Sequence, residues 1–144
     1  MSQRTVLKPS SQKVERWRRI IREAAEQCER QIIPTLTDPI SFSSALENVA
    51  DLQSSKASQA YLCVARGDRP HLFNTLKEFS GNSIILATGP EGGWTTAEVE
   101  TAIATGFQAV SLGKRILRAV TAPVVALSYL SAVWETTAAQ KNID

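Results

Sequence analysis

The chain has 144 residues, a net charge of +2, 43% hydrophobic and 21% charged residues, which predicts one domain with a substantial core. Two cysteines without a CxxC motif exclude a disulfide framework, and a single histidine excludes a His-rich metal site. The longest apolar stretch, residues 122–134, is too short for a bilayer span of about 20 residues, so we expect a cytoplasmic protein without a membrane partner.

Charge is distributed unevenly along the chain. Residues 1–31 carry eight basic and four acidic side chains, residues 32–112 carry four and eight, and residues 113–144 carry four and two. Both ends are therefore basic and the middle is acidic. An anionic partner is expected to bind surfaces built from the two ends.

The first part of the chain predicts mainly helix. Residues 5–7 predict a strand end or edge, and Ser10 or Ser11 then caps a helix that runs to about Arg30. Residues 31–36 predict a short strand broken by a proline, and residues 41–50 a short helix with Phe42, Leu46 and Val49 facing inward. The long helix is expected to bury one stripe of apolar residues at helical spacing: Val14, Trp17, Ile21, Ala24 and Cys28. Its other face carries i,i+4 charge pairs, among them Glu15–Arg19 and Arg19–Glu23.

The second part alternates strands and helices. Strands are predicted at residues 61–65, 83–88 and 107–112, and a short helix at residues 72–79 that Gly81 ends. The following helix begins with a capping box of Thr95 and Glu98 and ends at Gly106 in a left-handed conformation. This alternation predicts an α/β fold with an open parallel sheet.

The last helix, residues 121–135, is apolar on nearly all sides. Its apolar side chains include Val124, Leu127, Leu130 and Trp134. Such a helix is buried in its own domain or against a partner. A domain of 144 residues has little room for a fully internal helix, so we expect a subunit interface here.

Ligands of open α/β sheets bind at the loops after the strands, here residues 66–70, 89–94 and 113–120. The middle loop has three glycines in five residues, a pattern that also fits an ordinary strand-to-helix turn. It does not match G-x-G-x-x-G, and the third loop lacks the Ser/Thr of a Walker A motif. The third loop is basic, but Ile116 and Leu117 between its cations argue against a purely solvated loop.

Several motifs together resemble one known family. Residues 87–94 (ATGPEGGW), 106–107 (GF) and 111–118 (SLGKRILR), with Thr121 and Ala122 behind them, are similar to the RsmE family. Residues 15–17 (ERW) and 23–30 (EAAEQCER) resemble an earlier helix of that family, and Pro34 matches a family proline. The resemblance covers most of the chain, from about Arg4 to Val133.

The resemblance implies an S-adenosylmethionine-dependent methyltransferase of the SPOUT class that methylates N3 of a uridine in small-subunit (16S) ribosomal RNA. It implies a parallel sheet with helices on both faces, a C-terminal trefoil knot whose loops hold the cofactor, and a homodimer. The homodimer agrees with the interface expected for residues 121–135. No metal is needed.

The same resemblance assigns the site residues. Arg118 is the expected catalytic residue, as a cation near the uracil oxygens. The cofactor is expected to contact Ala65, Gly89, Glu91, Gly92, Leu112, Gly113, Ile116 and Leu117, with Arg66 beside them. From positive charge rather than from the resemblance, we expect ribosomal RNA phosphates to contact Arg16, Arg19, Arg22, Lys114 and Arg115.

The chain departs from the family pattern in three places. It has no PUA-like RNA-binding domain and no first strand-helix unit, so residues 1–144 are expected to form an N-terminally shortened SPOUT domain. Ala119-Val120 stands where many members have Thr-Glu. Two alternatives stay open: a non-catalytic S-adenosylmethionine-binding dimerisation module, and a nucleotide-binding protein using the helix that Thr95 caps.

Overall fold

A computed structural model describes residues 9–53 and 58–141 of the chain. The predicted strand end at residues 5–7 lies outside this part. The chain divides into two compact units, Met1–Phe42 and Ser43–Asp144. The elements are α1 (Ser11–Gln27), α2 (Phe42–Gln53), β1 (Ser58–Cys63), α3 (Leu72–Glu78), β2 (Ser83–Thr88), α4 (Thr96–Ala104), β3 (Gln108–Val110) and α5 (Thr121–Lys141).

Helix α1 is the longest element described in the first unit. Ser10 caps it by accepting a hydrogen bond from the backbone N–H of Lys13. The buried residues are Val14 and Ala25, with Ile21 half-buried between them. The predicted stripe was wrong in part, because three of its members are exposed: Trp17, Ala24 and Cys28. At 3.6 residues per turn, the buried stripe is turned by about 50° around the helix from the predicted one.

Arg18 joins α1 to the segment that follows it. Its guanidinium pairs with Glu15 on the same helix and lies 2.7 Å from the carboxylate of Asp38. Its Nε also donates to the carbonyl of Leu36 at 3.5 Å. The hydrogen bond to Glu15 is the main reason that the pKa of Arg18 is raised. The predicted pair Glu15–Arg19 is therefore replaced by Glu15–Arg18. The predicted pair Arg19–Glu23 forms at 3.8 Å.

The segment between α1 and α2 is irregular. Residues 31–36 were predicted as a short strand, and the structure has bends and coil there. A strand needs a neighbour for its backbone hydrogen bonds, and Pro34 lacks an N–H to donate. Helix α2 follows as predicted and extends three residues further, with Leu46 buried and Phe42 and Val49 half-buried.

The second unit contains a three-stranded parallel sheet in the order β2-β1-β3. The central strand β1 is buried on both faces, since Ala60, Tyr61 and Leu62 are at most 2% exposed and successive side chains point to opposite sides. Strand β2 has the predicted bounds. Strands β1 and β3 end two residues before the predicted limits, because pairing in each case stops before the loop begins.

Helices α3 and α5 pack on one face of this sheet. The core on that face contains Tyr61 and Cys63 of β1, Leu72 and Leu76 of α3, Val110 of β3 and Ala126 of α5. Tyr129, Leu130 and Val133 of α5 pack against it. The side chain of Ala102 on α4 is fully buried as well.

The ends of α4 follow the predicted local rules, whereas the end of α3 does not. Thr95 and Glu98 form the predicted capping box, and Gly106 has a left-handed φ of 99° after α4. Gly81 does not end α3, because that helix stops at Glu78 and Phe79 is already extended. No helix in the described ranges has the length and apolar character needed to cross a membrane.

Candidate functional site

The three strands of the sheet end at the same level. Cys63, the last residue of β1, is in register with Thr88 of β2 and with Val110 of β3. The loops that begin at Val64, Gly89 and Ser111 therefore leave the sheet side by side. In an open parallel sheet this carboxyl edge is where ligands bind.

A cleft lies at this edge, and the loops predicted from the sequence form its walls. All eight residues predicted to contact a cofactor line it: Ala65, Gly89, Glu91, Gly92, Leu112, Gly113, Ile116 and Leu117. Arg66 of the first loop and Arg115 of the third loop line it too. Residues that are about 50 positions apart in sequence thus come together around one cavity.

The second loop is held by a tryptophan. The indole Nε1 of Trp94 donates a hydrogen bond to the backbone carbonyl of Cys63 at 3.1 Å. The indole also lies against Gly89, where an added Cβ would be 3.1 Å from Nε1. Gly93 has a φ of 70°, a conformation that favours glycine.

The third loop is held by hydrogen bonds and by a parallel bridge. Ser111 bridges His71, with its N–H donating to Pro70 and its carbonyl accepting from Leu72, both at 2.9 Å. The Ser111 hydroxyl accepts from the N–H of Gly113 and lies 3.1 Å from its carbonyl. The backbone at the start of the third loop is therefore held by several hydrogen bonds.

Tyr129 of α5 supports the same loop from the helix side. Its hydroxyl donates to the carbonyl of Leu112 at 3.5 Å. Its ring packs against His71, with 5.2 Å between the ring centroids, and against Phe73 at 5.9 Å. Helix α5 thus contacts a wall of the cleft directly.

The predicted cationic residues occupy three different places. Arg115 lines the cleft, whereas Lys114 and Arg118 are exposed and are not part of its lining. The carbonyl of Arg118 accepts from the N–H groups of Thr121 and Ala122 at 2.9 and 3.0 Å, so its backbone is fixed at the start of α5. Three further cations are exposed on α1, in the first compact unit: Arg16, Arg19 and Arg22.

The titratable groups of the site limit its chemistry. Burial raises the pKa of the Cys63 thiol to about 11, so the thiol is protonated at neutral pH and a poor nucleophile. Among residues 9–53 and 58–141, no three His, Cys, Asp or Glu side chains are placed to hold a metal ion. Backbone groups, apolar walls, two arginines and the carboxylate of Glu91 are what the cleft offers to a ligand.

Several lining residues were missed by the sequence reasoning. These are Cys63, Val64, Pro90, Gly93, Trp94, Ala119 and Ala122. Most of them lie next to predicted residues, so the loop bounds alone could have found them. The role of Trp94 had no such signal, because its hydrogen bond spans 31 residues of sequence.

Comparison with known proteins finds relatives that match most of the chain. The sequence profile of the RNA methyltransferase domain matches residues 1–131. Ribosomal RNA small subunit methyltransferase E of Synechocystis is 53% identical over 137 residues, which are 94% of this chain and 44% of that protein. The Bacillus subtilis enzyme of the same name is 37% identical over 126 residues, 86% of this chain and 48% of that protein. The chain spans about half the length of these relatives.

A solved structure has the same fold. It is ribosomal RNA small subunit methyltransferase E from Neisseria gonorrhoeae bound to S-adenosyl methionine, with a TM-score of 0.74 and 29% identity. The likeness covers 93% of this chain and 53% of that one. Because the profile matches more than half of this chain, the chain belongs to the RNA methyltransferase domain family.

Proposed function

We propose that this chain binds S-adenosylmethionine in the cleft at the carboxyl edge of its sheet and methylates N3 of a uridine in 16S ribosomal RNA. The observation that carries the proposal is the convergence of three loops on one cleft lined by all eight predicted cofactor residues. The names of the relatives and the ligand of the Neisseria structure support it. A ribosomal RNA substrate also favours a cytoplasmic location.

The residues of the cleft fit this cofactor. Leu112, Ile116 and Leu117 offer apolar surface for an adenine ring, and Ile116 is 64% exposed, so a ligand would remove apolar surface from water. Gly92 and Gly113 allow backbone groups to approach the ligand closely. Glu91 adds a carboxylate that favours a cationic sulfonium.

The chemistry divides between the cofactor and the chain. The bound cofactor supplies an electrophilic methyl group on its sulfonium. The loops position that group, and positioning alone can supply roughly 7–11 kcal/mol in favourable cases. Arg118 stabilises the negative charge that develops on the uracil oxygens as N3 gives up its proton to solvent. Its fixed backbone at the start of α5 supports this role.

The remaining cations attract the RNA backbone. Lys114 and Arg115 stand beside Arg118, and Arg16, Arg19 and Arg22 are exposed on α1. Phosphate contacts release counterions, so binding through these residues weakens as salt rises.

The finer architecture belongs to the same proposal. The similarity to the RsmE family supports a C-terminal trefoil knot, and the bridge from Ser111 to His71 places the connection after β1 beside the third loop of that region. The profile match spans residues of both compact units, which supports one SPOUT domain over residues 1–144.

A homodimer through residues 121–135 also forms part of the proposal. One side of α5 packs on the core, while Val124, Leu127 and Trp134 on the helix are 62%, 57% and 45% exposed. Their spacing of three and seven residues places them along one stripe. An apolar stripe of this kind is typical of an interaction surface.

Two measurements test the function. Calorimetry with S-adenosylhomocysteine, in competition with ATP, is expected to detect binding of the first and not of the second. Transfer of a radiolabelled methyl group to undermethylated small ribosomal subunits is then expected. Cofactor binding without transfer would mean that the chain is a non-catalytic dimerisation module. Binding of ATP alone would assign the cleft to a nucleotide.

A further inference from the structure

Trp94 connects two of the three loops that form the cleft. It follows the glycine-rich loop directly, and its indole N–H donates to the carbonyl of Cys63 at 3.1 Å. Cys63 is the last residue of the central strand, where the first loop begins. The side chain therefore fixes the end of the second loop to the most buried strand of the sheet.

Gly89, at the other end of the same loop, is in contact with this indole. A Cβ there would lie 3.1, 3.2 and 3.3 Å from Nε1, Cε2 and Cδ1 of Trp94. Gly89 does not have a positive φ, so its backbone conformation is open to other residues. The need for glycine at this position thus comes from the space that the indole occupies.

The indole has little freedom to move away from a Cβ. A shift of a few tenths of an ångström would lengthen or bend the hydrogen bond from Nε1 to Cys63, and such bonds weaken steeply with distorted geometry. The contact with Gly89 and the hydrogen bond to Cys63 are therefore coupled through one rigid side chain.

We propose that Trp94 is a positioning residue of the cofactor cleft: its indole holds the 89–94 loop against β1, and Gly89 is glycine in order to admit that indole rather than the ligand. This inference rests on the proposed function, since it assigns the loop to cofactor binding. Trp94 acts through the backbone of Gly89, Glu91 and Gly92, which line the cleft beside it.

The test is a double-mutant cycle read by calorimetry with S-adenosylhomocysteine. Trp94→Phe keeps an aromatic ring and loses the N–H, and is expected to weaken affinity about three- to tenfold. Gly89→Ala is expected to weaken it about tenfold by displacing the indole. In a Trp94→Leu background, which leaves room for a Cβ, Gly89→Ala is expected to cause no further loss. Trp17→Phe in α1 is the matched control and is expected to keep the parental affinity.

Two results would overturn the inference. One is parental affinity in Trp94→Phe. The other is an undiminished effect of Gly89→Ala in the Trp94→Leu background, which would mean that Gly89 admits the ligand directly. Urea unfolding of each variant separates loss of the loop geometry from loss of the fold.

A binding measurement on the parental chain distinguishes failure of this inference from failure of the proposed function. If it does not bind S-adenosylhomocysteine, the proposed function fails, and amide hydrogen exchange at Gly89, Glu91, Gly92 and Gly93 without ligand decides the role of Trp94. Faster exchange in Trp94→Phe than in Trp17→Phe would support the proposal that Trp94 holds the 89–94 loop against β1. Equal exchange would refute it.

Discussion

Gly113 provides a direct way to perturb the third loop without a steric clash inside the protein. Its φ is 129°, a conformation that L side chains rarely adopt. A Cβ at this position would lie 3.9 Å from Nε2 of His71, at ordinary contact distance, so Gly113→Ala introduces no steric clash. The cost of this substitution is therefore conformational.

The size of this cost follows from how the backbone is held. Both the N–H and the carbonyl of Gly113 lie 3.1 Å from the Ser111 hydroxyl, so the chain cannot rotate to a relaxed φ without losing these contacts. A strained non-glycine residue costs about 1–3 kcal/mol, and alanine recovers up to about 1 kcal/mol through the unfolded chain. We expect Gly113→Ala to lower the free energy of unfolding by about 1–2 kcal/mol.

The assays are urea unfolding and calorimetry with S-adenosylhomocysteine. Relaxation of the loop is expected to lower the affinity about tenfold, which equals about 1.4 kcal/mol. Gly106→Ala is the matched control, because Gly106 has a φ of 99° at the end of α4 and does not line the cleft. It is expected to lower stability and leave affinity unchanged. Parental affinity in Gly113→Ala would refute the role of this loop, and unchanged stability would refute the reasoning on strain.

Arg118→Ala is expected to slow single-turnover methyl transfer at least about tenfold, with S-adenosylhomocysteine affinity unchanged; transfer at the parental rate with saturating RNA would refute its catalytic role. Leu127→Glu is expected to halve the mass measured by light scattering, because it places a charge on the exposed stripe of α5. A parental chain that is already monomeric would refute the dimer. Cys63 has its pKa raised from 9.0 to about 11, so its contribution to stability is complete below pH 9 and is lost as pH rises from 9 to 11. Urea unfolding at both ends of that window is expected to show a smaller fall for Cys63→Ala than for the parent, and equal falls would contradict this.

Much of the second unit could be predicted from local sequence patterns. Strand β2 has the predicted bounds because the mainly apolar run of residues 83–88 is bordered by Asn82 and Gly89, residue types that are typical of turns. The capping box of Thr95 and Glu98 and the left-handed Gly106 were predicted because each depends on residues at most four positions apart. The loops of the cleft followed from the rule that ligands bind after the strands of a parallel sheet.

The errors arose where distant parts of the chain decide the outcome. The buried stripe of α1 contains Ala25 rather than Ala24 and Cys28. The period of the apolar residues fixes the spacing of the buried positions, but packing decides which face of the helix is buried. Arg18 was not predicted to hold residues 36–38, since no local pattern links positions that are 18 and 20 residues apart.

The sequence by itself determined which segments are strands and helices in the second unit and where the loops lie. These properties depend on hydrophobic period, capping and turn chemistry, all of which act over a few residues. Only the tertiary structure decided that Trp94 reaches Cys63, that Tyr129 supports Leu112, and that Arg115 lines the cleft while Arg118 does not. These two hydrogen bonds join residues 31 and 17 positions apart, and the place of the two arginines depends on the course of a loop. Their geometry therefore exists only after the sheet has aligned the strand ends.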